Sequence, residues 1–224
     1  MGMKAGLSIA SGSLLTVKLE IRDMTVVEPI GVMQWQGEPI NTSFIVDVPL
    51  QTRMGKYPGK AIISSAGIPV ATLRFLFPVS AGELTGETQS GGETIYPRSA
   101  FASYASENRE DVMERIQGMQ TVAPDMDIFL DVVSLRHGQR WLDELKKNIA
   151  TREIFYLFWS EEAAASEWVE KEWRLALAEK GLNSINPVPL DEPDKVSPPA
   201  ELAELHFNDA WLIYIKYQEM RAQS

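Results

Sequence analysis

The chain has no cysteine in 224 residues. That excludes disulfides, thiolate metal sites and a cysteine nucleophile. Histidine is nearly as scarce: His137 and His206 are the only imidazoles, so histidine-rich metal sites are excluded and no metal centre is expected. Basic charge is also thin. Lys and Arg number 21 against 31 Asp and Glu, giving a formal net charge of -10 and a pI near 4.8. Such a balance argues against nucleic acid or anionic lipid as a partner. No apolar run reaches the roughly 18 residues that a membrane span needs. Met1-Gly2-Met3-Lys4 lacks the apolar core of a signal peptide. A cytoplasmic protein is the expectation.

What is present divides in two. From Ala81 to Pro97, Gly82, Gly86, Gly91 and Gly92 are mixed with Ser, Thr and Glu, the composition of a flexible hydrophilic linker. This gives a module over 1–80, a linker over 81–97 and a second domain over 98–224. Before the linker the patterning has period two: Leu15, Val17, Leu19 and Ile21 alternate with more polar neighbours. Phe44, Val46, Val48 and Leu50 do the same, as do Ala71, Leu73, Phe75, Phe77 and Val79. Gly67-Ile68-Pro69 reads as a hairpin connection between two such runs. A small antiparallel sheet or sandwich is expected, with Trp35 serving its core and Gln36-Gly37 a turn. No grouping of acid, base and nucleophile stands out in it. Its shortness suggests further sequence ahead of Met1.

After the linker, strand and helix patterns alternate. Ser99 to Tyr104 reads as a strand, and Ser106 as the cap of a helix that turns Val112, Ile116 and Met119 inward. Met126 to Asp131 is a second strand, followed by a helix with Trp141, Leu145 and Ile149 every four residues. Ile154 to Trp159, a helix from about Glu161 to Gly181, Ile185 to Leu190 and Trp211 to Ile215 complete the series. Such alternation implies an α/β fold: a parallel five-stranded sheet with helices on both faces and flavodoxin-like winding. Sites in these folds lie at the carboxyl ends of the strands, where Tyr104, Asp131 and Ser160 should gather.

One residue breaks its own pattern. At about 100° per residue, Ala165, Trp168, Val169, Trp173, Leu175, Ala176 and Leu177 form an apolar arc. Glu167, Glu170, Lys171 and Arg174 lie opposite, in solvent. Glu172 falls inside the apolar arc, one turn after Trp168. A carboxylate facing the interior is costly unless it is paired, hydrogen-bonded or lining a cavity. It is therefore the first functional candidate.

These residues resemble a bacterial Toll/interleukin-1 receptor (TIR) domain. Ala100-Phe101-Ala102-Ser103-Tyr104-Ala105-Ser106-Glu107 resembles the family's first box. Phe129-Leu130-Asp131 with Leu135-Arg136-His137-Gly138 resembles the second box and its BB loop. Phe158-Trp159-Ser160 and Ser166-x-Trp168-Val169-x-x-Glu172 resemble the third strand and the helix after it. The likeness runs from about Arg98 to Tyr217. The first part resembles a β-rich module found ahead of TIR domains in other bacterial proteins.

Many TIR domains cleave NAD at the nicotinamide–ribose bond, releasing ADP-ribose or cyclising it. The resemblance therefore implies an NAD glycohydrolase or cyclase, with NAD as substrate and no cofactor, acting in immune-type defence. The implied catalytic residue is Glu172, four residues after Trp168. The implied substrate-binding set is Ser103, Tyr104, Ser106, Asp131, Arg136 and Trp168, with Arg136 suited to bidentate contact with the pyrophosphate. Self-association through TIR–TIR contacts is also implied, the BB loop (Leu135, Arg136, His137, Gly138) of one copy completing the pocket of the next.

Structural roles stand beside these. Trp168 and Trp141 suit a core, Asp131 suits orienting the loop after it, and Gly138 suits a special backbone angle. His137 reads as a solvent-exposed loop residue, and His206 as an anchor near the last strand. Some active relatives carry an acid where Arg136 stands. That departure favours an alternative, a TIR adaptor that only binds other TIR domains, including host ones; a regulator that holds NAD without cleaving it is a third reading.

Overall fold

Residues of alternating polarity build strands wherever one face of a sheet must be buried. The computed structural model describes residues 9–37, 41–80, 93–130, 139–192, 195–205 and 207, with the backbone alone for 139–142. The chain divides into two units, Met1–Tyr96 and Pro97–Ser224. Among the described residues no helix is long and apolar enough to cross a membrane.

The first unit is an antiparallel sheet. Its strands are β1 (Leu14–Ile21), β3 (Ile30–Gln34), β5 (Gly55–Ser65), β6 (Ile68–Val79) and β7 (Glu93–Ile95), in the order β3-β1-β5-β6-β7. Two short strands, β2 (Thr25–Val26) and β4 (Val46–Asp47), pair as a separate ribbon. Leu15, Val17 and Ile21 are buried, as their period-two spacing requires. Gly59 faces Phe75 across the β5–β6 ladder, and a Cβ at Gly59 would lie 2.6 Å from the Phe75 ring. Glycine therefore leaves room for an aromatic ring to lie across the strand.

Three expectations for this unit are corrected. The run from Phe44 to Leu50 forms only the two-residue β4, and Ile45, Val48 and Leu50 are exposed. Its available partner is just the two-residue β2, and Pro49 has no amide to donate. The hairpin turns at Ala66-Gly67 rather than Gly67-Ile68-Pro69, because Ile68 already pairs with Ser65. Finally, Glu93–Ile95, within the stretch read as linker, pairs with β6, placing Glu93 opposite Arg74.

The second unit alternates strand and helix around a parallel sheet. Its elements are β8 (Ser99–Ser103), α1 (Arg109–Gln120), β9 (Asp127–Leu130), α2 (Gln139–Thr151), β10 (Ile154–Trp159), α3 (Glu161–Ala165), α4 (Glu167–Lys180) and β11 (Ile185–Pro189). The strand order is β11-β10-β8-β9. The second, first, third and fourth strands are thus neighbours in that order, as flavodoxin-like winding requires. The expected fifth strand, Trp211–Ile215, lies outside the described residues. From β8 the chain crosses to β9 on one side, and from β10 it crosses to β11 on the other. Right-handed crossovers then put α1 on the face opposite α2 and α4. The core agrees: Phe101, Phe155, Leu157 and Trp159 cluster with Leu145 and Ile149 of α2 and Val169, Trp173 and Ala176 of α4. Phe101 stacks on Phe155, with ring centroids 5.3 Å apart.

The single helix expected from Glu161 to Gly181 is two. Ser166 is extended (φ -84°, ψ 111°), and its Oγ accepts from the Val169 amide at 3.3 Å, capping α4. The apolar arc therefore does not reach back to Ala165, which belongs to α3 and is exposed.

Ala66 has φ 49° and Gly67 φ 76°, the conformation of a two-residue hairpin turn. The left-handed region suits glycine and strains alanine by roughly 1 kcal/mol. Ala66→Gly is expected to stabilise the chain by up to about 1 kcal/mol, less the entropy that glycine adds to the unfolded state. Urea unfolding of both proteins measures it.

Candidate active site

Glu172 is 1% exposed, on the α4 face that also buries Val169, Trp173 and Ala176. Both of its carboxylate oxygens accept hydrogen bonds. The Ser103 hydroxyl donates to Oε2 at 2.6 Å, and the Trp168 indole N–H donates to Oε1 at 2.9 Å. Trp168 and Glu172 are four residues apart, so they share one helix face. Ser103, the last residue of β8, shares the face of Phe101 and is fully buried. The carboxylate thus bridges α4 to the carboxyl end of β8, where doubly wound sheets bind ligands.

Around this centre the sequence-predicted residues separate. Ser103 and Trp168 are joined to Glu172. Tyr104 is half-buried at the end of β8, and its hydroxyl accepts from Arg109 Nη1 at 3.1 Å. Ser106 is exposed and donates to Glu107 Oε2 at 3.0 Å. It does not cap a helix through its side chain as expected, because a 3-10 turn over Ser106–Asn108 precedes α1 and neither helix has a side-chain cap. Asp131, Leu135, Arg136, His137, Gly138 and His206 lie outside the described residues, as does the Trp141 side chain.

Two features at the same strand ends go beyond the expectation that merely placed Ser160 there. Ser160, 1% exposed, does more than follow β10: its Oγ accepts from the Ala163 amide at 2.9 Å and donates to Asn108 Oδ1 at 2.6 Å. Asn108 Nδ2 in turn donates to Glu162 Oε2 at 3.1 Å. The Asn108 amide, with the Glu162 backbone N–H, holds the Glu162 carboxyl below its ordinary value. The Ser160 cap was legible as a serine three residues before a buried alanine. The link to Asn108, 52 residues away, left no local signal. The second feature is Trp159 Nε1, a buried donor with no acceptor among the described residues. Leu157 pairs with Ser103, so Trp159 stands two residues further toward the carboxyl end on the same face.

A family model described as TIR domain matches residues 101–221, more than half of the chain. The chain belongs to the TIR-domain family. No curated protein matches it. The match covers Ser103, Asn108, Ser160, Trp168 and Glu172, and the parallel sheet with its flanking helices is the architecture expected of a TIR domain.

Removing a donor from a buried carboxylate costs about 1–3 kcal/mol. Ser103→Ala is therefore expected to destabilise the TIR domain by that amount, whereas Ser106→Ala, at an exposed position, should fall within about 0.5 kcal/mol of wild type. Thermal or urea unfolding of the two variants distinguishes them.

Proposed function

We propose that this chain is an NAD glycohydrolase or cyclase, acting as a self-associating effector in bacterial immune-type defence. The observation that carries the reading is Glu172, a buried carboxylate at the carboxyl end of the sheet with both oxygens held by donors. Breaking the nicotinamide–ribose bond sends its electron pair to the pyridinium nitrogen and leaves positive charge on the ribose. A fixed carboxylate beside C1′ stabilises that charge and can accept from the ribose hydroxyls. Water at C1′ then completes hydrolysis, and a nucleophile within the ADP-ribose completes cyclisation.

The reading assigns the other residues accordingly. Ser103 and Trp168 fix the rotamer of Glu172, so Ser103 acts through the carboxylate rather than on substrate. Trp168, half-buried, presents indole surface beside it, and Tyr104 lines the loop end. Arg136 meets the pyrophosphate, and Asp131 and the loop through Leu135, His137 and Gly138 complete the pocket or its contact with a second copy. Head-to-tail contacts of that kind build open filaments, making activity depend on concentration. A cytoplasmic setting with free NAD fits this role. A second reading, a non-catalytic adaptor acting through TIR–TIR contacts, is favoured by Arg136 where some active relatives carry an acid.

Chromatography of nicotinamide released from NAD, at several protein concentrations, tests the proposal. Release by wild type should rise faster than protein concentration. Glu172→Gln should lower kcat by about 10²-fold or more, the usual loss for a preorganised electrostatic group, while remaining folded. Release that survives the substitution would make Glu172 structural. No release under any assembling condition would favour the adaptor.

A further inference from the structure

We propose that Asn108 is a positioning residue of this site, tying the loop after β8 across the sheet's switch point to Ser160 and Glu162. The role rests on the NAD-cleaving reading and deepens it: the loop so held, 104–108, carries Tyr104 and forms one wall of the nucleotide pocket.

The geometry follows from topology. β8 and β10 are neighbours, but beyond them the chain leaves toward opposite faces of the sheet. The backbone ladder that joins the two strands ends there, at the crevice where doubly wound sheets take nucleotides. Asn108 spans it with both ends of its carboxamide, to Ser160 at 2.6 Å and to Glu162 at 3.1 Å. The chemistry fixes which end goes where. A carboxylate only accepts, so Nδ2 must face Glu162, which leaves Oδ1 to take the Ser160 proton. Ser160 is itself buried and committed as acceptor to the Ala163 amide.

Asn108 also gives up its local option. Asparagine just ahead of a helix ordinarily accepts from the helix's first amides. Here, directly before α1, its side chain makes no such bond and reaches across the crevice instead. A local preference set aside for a long-range contact is what a site-positioning residue shows.

Steady-state kinetics of NAD cleavage test this in the full chain with Asn108→Ala, Asn108→Asp and Glu162→Gln. A lost pocket wall removes binding common to ground and transition states, so Asn108→Ala should raise KM about tenfold with kcat within about twofold. Asn108→Asp keeps the acceptor for Ser160 but turns a carboxylate on Glu162, and should match Asn108→Ala. Glu162→Gln keeps an acceptor for Nδ2 but removes the charge that strengthens the bond, and should raise KM by less than Asn108→Ala. An unchanged KM in Asn108→Ala overturns the role, as does a fall in kcat alone that tracks the folded fraction. Wild type that cleaves while Asn108→Ala equals it refutes the clamp only. Wild type that never cleaves refutes the NAD reading and this role with it.

Discussion

The second unit is organised around a single constraint, that the Glu172 carboxylate is almost wholly covered. An ionised group removed from solvent must be met by donors, or the fold loses several kcal/mol to it. Ser103 meets one oxygen and Trp168 the other, and the serine's bond ties positions 69 residues apart. For the serine to reach, β8 must end with its final residue turned to the α4 face, and α4 must cross that end with Glu172 lowermost. Strand register and helix placement are therefore coupled through one side chain. The stacked pair Phe101 and Phe155 behind it keeps β8 and β10 in the alignment that brings Ser103 to the rim.

The break between α3 and α4 serves the same geometry. A continuous helix from Glu161 would leave β10 in one direction and could not both cap on Ser160 and lower Glu172 toward β8. Ser166 separates the two requirements. It ends α3 in extended backbone and starts α4 afresh, with its own hydroxyl satisfying the Val169 amide. Each helix then takes its own heading, and Trp168 arrives one turn before Glu172 on the inward face.

Much of this was legible in the sequence, for identifiable reasons. The alternation of strand and helix patterns specified a doubly wound sheet, because each pattern has a period and each connection a preferred hand. Glu172 stood out because helical periodicity makes an inward acid visible without any partner being known. What the sequence hid was everything set by meeting across distance. Ser103 as partner of Glu172 depends on which way β8 ends. The Asn108–Ser160 bond depends on strand order. The Ser166 break was hidden by averaging: an apolar arc drawn on a helical wheel absorbs one extended residue without losing its shape. In the first unit, the run ending at Leu50 had the right period but too little partner, since a strand exists only where another can pair with it.

Three departures from local preference in the TIR domain stand close together, although Arg115 on α1 and Tyr156 within β10 are buried elsewhere in it. Glu172 buries a carboxyl group, Trp159 buries an indole N–H with no acceptor among the described residues, and Asn108 forgoes a helix cap. Each is unfavourable alone, by about 1 kcal/mol for the missing cap and about 1–3 kcal/mol for an unmet donor. All three stand at the carboxyl ends of β8 and β10 or on the segments that follow them. Away from those ends Phe155 and Leu157, Val112 and Ile116, Leu145 and Ile149 are buried as their periods require. An apolar residue at Glu172 would fill the arc and release Ser103. Polar groups placed there at a cost in stability are what the proposed NAD-cleaving role would require of these strand ends. Because the exceptions lie on different chain segments, they also require the tertiary structure to be complete before any of them is in place.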